Sequence, residues 1–301
     1  MTAAHRLMLH AGWLFVAGLA LAGMVSRLDS WRSAPRRATV STPHRLVSMA
    51  PSLTECLFAI GAGERVIAVD DWSVYPPTAA SLPRVGGYFN PNFERLLAVR
   101  PDAIVIQGQH EKMATFCAQQ AIPMWRVEIN TVDSIYLALD RLGRELECES
   151  GAAQAQAELR ARLAAVQQRA ATRARVSTFI CLSRMPNELT QLGTVNGRSF
   201  LGELLKLAGG DNIFDEIPQE YPEISKETLL TRAPELILEL RPGEALTDEQ
   251  KQVLVHDWDA LPTLPAVQHG RILILNEDFL LIPGPRVALI AEALARALHP
   301  D

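Results

Sequence analysis

The stretch ESGAAQAQAELRARLAAVQQRAATR, residues 149–173, decides the fold. Nearly every position is Ala, Leu, Glu, Gln or Arg, the residues that lose least on entering a helix, and no proline interrupts it. Together with the residues before it, the sequence is predicted to be helical over 132–173, with one interruption near Glu149-Ser150-Gly151. The second piece, about 22 residues, spans roughly 33 Å at ~1.5 Å per residue, enough to cross between two lobes.

Short apolar strands alternate with helices on both sides of it. Upstream, 46–49 reads as a strand, and Ser52-Leu53-Thr54-Glu55 reads as a capping box for a helix closing at Gly61-Ala62-Gly63. Strands follow at 66–69, 103–106 and 124–128, with helices at 93–99 and 113–120. Downstream the alternation resumes at 176–182, 200–207, 213–214, 226–232, 236–240, 248–255 and 272–275, and ends in a helix over 286–298. The expected fold class is α/β: two Rossmann-like lobes with parallel sheets joined by a single long backbone helix. The lobes are placed at 44–148 and 174–301, with the connecting helix at 149–173.

The two halves also echo each other. Glu94-Arg95-Leu96-Leu97 and Pro101-Asp102-Ala103-Ile104-Val105-Ile106 are matched by Glu227-Thr228-Leu229-Leu230 and Pro234-Glu235-Leu236-Ile237-Leu238-Glu239, at one constant offset. A second echo pairs Ala62-Gly63-Glu64-Arg65-Val66 with Gly209-Gly210-Asp211-Asn212-Ile213. Two matches in the same order favour an internal duplication, hence similar lobes facing across a cleft, a preferred place for a small ligand.

The 301 residues are 48% hydrophobic and 21% charged, enough for a large core, and the formal net charge of -5 offers no basic field for nucleic acid. Residues 1–25 read as a signal peptide or N-terminal membrane anchor, with an apolar run over 11–25 as a possible tether. Residues 26–43, rich in Ser, Pro, Thr and Arg, read as a linker. Export to the periplasm is the expectation, although Arg27, Arg32, Arg36 and Arg37 lie on the side of the run that the positive-inside rule would keep in the cytoplasm. Cys56, Cys117, Cys148 and Cys181 lack zinc-site spacing and read as small buried hydrophobes rather than disulfides. The histidines are dispersed, so no metal is expected.

Enzyme motifs are missing from the sequence. Gly197-Arg198-Ser199-Phe200-Leu201 lacks the second glycine of a nucleophile elbow, no phosphate loop occurs, and Gly61-Ala62-Gly63 falls at a helix end, not a helix start. Aromatics carry more information. Trp72, Tyr75, Tyr88, Phe89 and Phe93 crowd into residues 72–93 of a chain with only 5 Trp, 4 Tyr and 9 Phe. Tyr75 and Phe93 read as covers for the sheet rim, whereas Trp72 and Tyr88 offer flat, rigid surface to a large ligand.

Pro51-Ser52-Leu53-Thr54-Glu55, Tyr75-Pro76-Pro77, Val85-Gly86-Gly87-Tyr88, Pro91-Asn92-Phe93-Glu94-Arg95 and Gly209-Gly210-Asp211-Asn212-Ile213-Phe214 occur in order. In this the chain, from about Arg45 onward, resembles the helix-linked substrate-binding proteins of ABC importers that take cobalamin, siderophores or haem. The resemblance implies a non-enzymatic protein with little hinge motion, a small-molecule ligand clasped between loops of both lobes, and an ABC permease with its ATPase as partner. It carries the pocket aromatics of the cobalamin-binding members onto Trp72, Tyr88 and Tyr221, and their acidic pocket residue onto Asp278, followed by Phe279. Two positions depart from that pattern: Gln107 stands for a pocket tryptophan and Ile282 for an arginine. Arg286 is a candidate replacement cation. Cobalamin is thus the expected transported ligand, with no other cofactor, and a ferric siderophore or haem, needing cations such as Arg126, Arg184, Arg198 or Arg286, is the alternative. The resemblance also makes Glu94 and Glu227, equivalent in the two repeats, the expected docking residues for two permease subunits.

Overall fold

The computed structural model describes residues 42–185 and 188–300; the expected N-terminal segment and all but the last two residues of the expected linker lie outside them. The first lobe contains β1 (Leu46–Ser48), α1 (Pro51–Ala59), β2 (Val66–Val69), α2 (Pro77–Ala80), α3 (Phe93–Ala98), β3 (Ala103–Gln107), α4 (Glu111–Gln119) and β4 (Met124–Val127). Two helices follow, α5 (Val132–Glu145) and α6 (Glu149–Ala170). The second lobe contains β5 (Val176–Cys181), β6 (Leu192–Gly193), α7 (Phe200–Leu207), β7 (Gly210–Asn212), β8 (Glu223–Ile224) and α8 (Lys226–Arg232). It is completed by β9 (Leu236–Leu240), α9 (Asp248–His256), α10 (Pro265–Gln268), β10 (Ile272–Leu275) and α11 (Val287–Leu298).

Each lobe is built on a parallel sheet, β2-β1-β3-β4 in the first and β10-β9-β5-β7 in the second. Read from β7, the second order repeats the first, strand for strand. Helices cover both faces, so β3 and β9 are buried almost end to end, as their unbroken apolar runs require. Ala103 and Leu236, equivalent in the first echo, open these strands. The second echo needs a correction in register: Val66 and Gly210, not Val66 and Ile213, stand beside the first residues of β1 and β5.

Along α6 the residues Ala152, Leu159, Leu163, Val166 and Ala170 form one buried stripe, packed on α5 and α11. The cluster that holds Ala152, Leu159, Leu163 and Val166 continues through apolar side chains of both sheets and of α1 and α7, so the lobes share a core besides the separate cluster on the other face of each sheet. The helical break falls at Leu146-Glu147-Cys148, with Glu147 at φ 55°, slightly before the position expected from Glu149-Ser150-Gly151. Gly151 lies inside α6 for a packing reason: a Cβ there would sit 2.1 Å from the Ile60 carbonyl oxygen. The expected capping box at Ser52–Glu55 also does not form. Pro51 is already the first helical residue and Ala50 the cap, which puts Ser52 inside the turn and frees its hydroxyl and the Glu55 carboxylate for other partners.

All four cysteines are free thiols; Cys56, Cys117 and Cys181 are buried and Cys148 is half-buried. Burial, aided by the neighbouring Glu55 charge, pushes the Cys56 thiol far up, and burial beside Glu239 pushes Cys181 to about 12. Alkylation of the native protein at neutral pH should therefore modify Cys148 well before Cys56 or Cys181, which should react only on unfolding. Timed peptide mass mapping reads the order, and early labelling of Cys56 contradicts this packing.

Candidate functional site

All four strands of the first sheet end at the same place. The chain leaves β1 through Met49-Ala50-Pro51, β2 through Asp70 and Trp72, β3 through Gln107-Gly108, and β4 through Glu128 and Asn130. With Tyr88, these residues surround a cavity of about 460 Å³. The carboxyl ends of parallel strands are where open α/β sheets bind ligands. A second cavity of about 300 Å³ shares Pro51, Gln107 and Asn130 with the first, and its far wall comes from the second lobe: Phe200, Tyr221, Leu281, Ile282 and Pro283. The two cavities make one inter-lobe cleft. A larger concavity, about 800 Å³, lies between the C-terminal ends of α6 and α11, but its described lining includes Arg169, Arg173, Glu292 and Arg296 and no Trp, Tyr or Phe.

Trp72 and Tyr221 project into solvent at 72% and 53% exposure, one from each lobe. Tyr88 is held more firmly: its hydroxyl donates to the Gln109 carbonyl at 2.6 Å and its ring stands edge-on to His110, centroids 5.0 Å apart. Gln107 is fixed at both ends, its Oε1 accepting from Ser52 Oγ at 2.8 Å and its Nε2 donating to the Ile129 carbonyl at 3.1 Å. Asp70 organises the loop that carries Trp72. Its buried carboxylate accepts from the Trp72 amide at 3.0 Å and from the Ser73 hydroxyl. The cleft therefore presents aromatic faces, fixed amide groups and the carboxylates of Asp70 and Glu128; its described lining includes neither Lys nor Arg.

The expected residues Asp278, Phe279 and Arg286 are not in that lining. Arg286, a candidate cation for a ligand, is instead consumed within the protein. Its Nε and Nη2 donate to Glu55 Oε1 at 3.0 and 2.7 Å, and its Nη1 donates to Asp278 at 3.1 Å. Tyr75 covers the guanidinium at 4.1 Å, and Phe279 packs against the shared core. Arg184 is likewise buried, against Glu239 at 3.1 Å and Asp257 at 2.8 Å. Arg198 donates to the Pro218 carbonyl, and neither it nor Arg126 lines the cleft. Phe93, read as a rim cover, stacks on Phe116 at 4.6 Å.

The periplasmic binding protein family model matches residues 46–279. The chain belongs to that family. The vitamin B12-binding protein of Photorhabdus laumondii subsp. laumondii is 31% identical over 267 residues, which cover 87% of this chain and 90% of that protein. The crystal structure of the periplasmic vitamin B12-binding protein of Vibrio cholerae matches with a TM-score of 0.71 at 28% identity, covering 85% of this chain and 97% of the other. A periplasmic haem-binding protein of Pseudomonas aeruginosa has the same fold, with a TM-score of 0.73 at 24% identity, covering 86% and 94%. The family is a class of binding proteins rather than enzymes, and its members act in the periplasm. Among the described residues of this binding protein, no helix is long and apolar enough to cross a membrane.

Glu94 and Glu227 sit in the first turns of α3 and α8, both exposed, behind N-caps Asn92 and Ser225 whose side chains accept from the amides of Arg95 and Thr228. Sequence reasoning missed much of the binding protein's cleft, including Met49, Pro51, Asn130, Phe200 and Leu281. For the first lobe the strand boundaries held the signal, since every missed residue there follows a strand end.

Burial pushes the Asp70 carboxyl above the ordinary carboxylate range, although the Ser73 hydroxyl and Trp72 amide act to lower it. A carboxyl that holds its proton more tightly folded than unfolded contributes stability below its ordinary pKa, and that contribution is lost as pH rises through the folded value. Asp70→Asn removes this dependence. The unfolding free energy of wild type minus that of the variant should therefore fall as pH rises from about 4, the ordinary carboxylate range, measured by urea titration, and a rise would overturn the sign.

Proposed function

We propose that this protein captures cobalamin in its inter-lobe cleft and delivers it to an ABC permease and its ATPase in the cytoplasmic membrane. Residues 1–25 would direct export, and the apolar run over 11–25 would tether the protein if it is retained. The observation that carries the ligand choice is the character of the cleft: aromatic surface on both lobes with acidic groups and, in its described lining, no cation. A corrin ring fringed by neutral amides suits such a surface. A ferric siderophore or haem brings carboxylates or other anionic groups, and of the four arginines that would have met them Arg184 and Arg286 are paired inside the protein while Arg126 and Arg198 do not line the cleft. The vitamin B12-binding relatives point the same way.

On this reading Trp72, Tyr88 and Tyr221 pack on the corrin, Gln107 offers a fixed amide at the cleft floor, and Asp278 and Phe279 act from behind the wall. Cobalamin should quench the intrinsic fluorescence, and Trp72→Ala should weaken binding by roughly 1–3 kcal/mol, the range for an aromatic anchor. Calorimetry decides: no heat with cobalamin and a clear isotherm with haem or a ferric siderophore would transfer the assignment.

Delivery rests on Glu94 and Glu227, equivalent carboxylates that suit a partner with two equivalent basic sites. The double variant Glu94→Lys/Glu227→Lys should abolish uptake and permease binding, while ligand affinity and Tm change little. Normal uptake by that variant, or loss of ligand binding in isolation, would remove the docking role.

A further inference from the structure

Glu55 and Arg286 stand 231 residues apart in sequence, one on α1 of the first lobe and the other at the N-cap of α11 in the second. Their side chains are 2% and 9% exposed, and both Nε and Nη2 of the arginine converge on Oε1 of the glutamate. Oε2 is buried without a hydrogen-bond partner among the described residues. The second lobe approaches closely here: a Cβ on Gly284 would meet that oxygen at 3.3 Å and the Ser52 carbonyl at 3.5 Å. Tyr75, from the loop after β2, lies over the guanidinium at 4.1 Å, and Asp278 holds its remaining edge.

The position of this pair gives it a consequence for binding. Glu55 is four residues after Pro51 and one turn from Ser52, which line the cleft, while Arg286 follows the Leu281-Ile282-Pro283 segment that forms the opposite wall. The spacing gives Glu55 only a capping role, which does not form, so its carboxylate is left to Arg286. We propose that Glu55 and Arg286 are positioning residues that lock the two walls of the cleft at a fixed separation. The buried pair holds the loop carrying Leu281 and Ile282 against the start of α1, and so keeps the ligand surfaces of the lobes in register before any ligand arrives. This holds whichever ligand the cleft takes.

Two other hydrogen bonds cross between the lobes at the cleft floor and report on that separation. The Phe200 amide donates to the Asn130 carbonyl at 3.0 Å, and the Val132 amide donates to Glu203 Oε2 at 2.7 Å. Hydrogen exchange on the full-length, ligand-free protein tests the lock without depending on the identity of the ligand. In Glu55→Gln, which keeps the shape and removes the charge, the Phe200 and Val132 amides should exchange at least about tenfold faster. The amides of Ile104 and Ile237, inside the two sheets, should stay within about twofold of wild type. Arg286→Lys keeps the charge but loses the fork, and should give the same pattern at smaller amplitude; it also decides the matter if Glu55→Gln does not fold. Equal acceleration of all four amides would make the pair a general stabiliser only, and no change at Phe200 and Val132 would show that the lobes are held without it. Either result overturns the proposal.

Discussion

Each sheet has committed one of its two helix-covered faces to an apolar core that runs through both lobes, and the rest of the structure depends on that commitment. A two-lobed protein joined by flexible strands can swing shut, because each lobe keeps its own core when the linker bends. Here Leu159, Leu163 and Val166 of α6 belong to the same cluster as Leu46 and Val105 of the first lobe and Leu201, Leu205 and Leu294 of the second. Separating the lobes would expose that surface at about 25 cal/mol per Å² of apolar area. The connecting helix therefore acts as a spine, and the cleft is largely shaped before a ligand enters it.

Charge is then distributed in a way the composition conceals. Two of the arginines that seemed available to an anionic ligand are buried in ion pairs, Arg184 with Glu239 and Arg286 with Glu55, and each also reaches a more exposed carboxylate, Asp257 and Asp278. Desolvation makes such a pair nearly neutral in net stability, yet losing one partner costs about 3–5 kcal/mol because the other is left charged and buried. That asymmetry makes these arginines poor ligand contacts, since turning one toward a ligand would abandon a buried carboxylate. Trp258 strengthens the case for Arg184, as its Nε1 donates to the same Glu239 at 2.9 Å.

Elements whose signal is local were legible in the sequence. α7, α8, β9 and β10 occupy the residues that periodicity and capping assign to them, and the long helix, the two parallel sheets and the matching strand orders follow from the alternation and the repeat. What depends on distant partners was not legible. Ser52–Glu55 fits a capping box by spacing, and only the neighbours at Gln107 and Arg286 reveal where those side chains go. Gly151 resembles a helix breaker until the Ile60 carbonyl is seen beside it. In the cleft, Trp72, Tyr88, Gln107 and Tyr221 were found because aromatic crowding and resemblance single them out. Pro51, Asn130 and Leu281 were missed because a side chain lining a cavity from a loop has no periodicity to betray it.

The two repeats have diverged unequally, and the pattern of divergence bears on what each surface does. On α3 and α8 the match is close: a capping residue, an exposed glutamate in the first turn, a fully buried leucine at Leu96 and Leu229, and an exposed leucine beside it. Around the cleft the match disappears. The first lobe contributes Trp72 and Tyr88 from loops after its strands, whereas the second contributes Tyr221 from a segment next to the antiparallel β6-β8 ribbon, which the first lobe's described residues do not repeat. A ligand without twofold symmetry places different demands on the two walls that hold it, so drift between the lobes costs nothing there. A partner built from two equivalent subunits places the same demand twice. Under the proposed delivery role, equality is therefore expected on the helices that would meet the permease and inequality in the cleft, and the residues are arranged in that way.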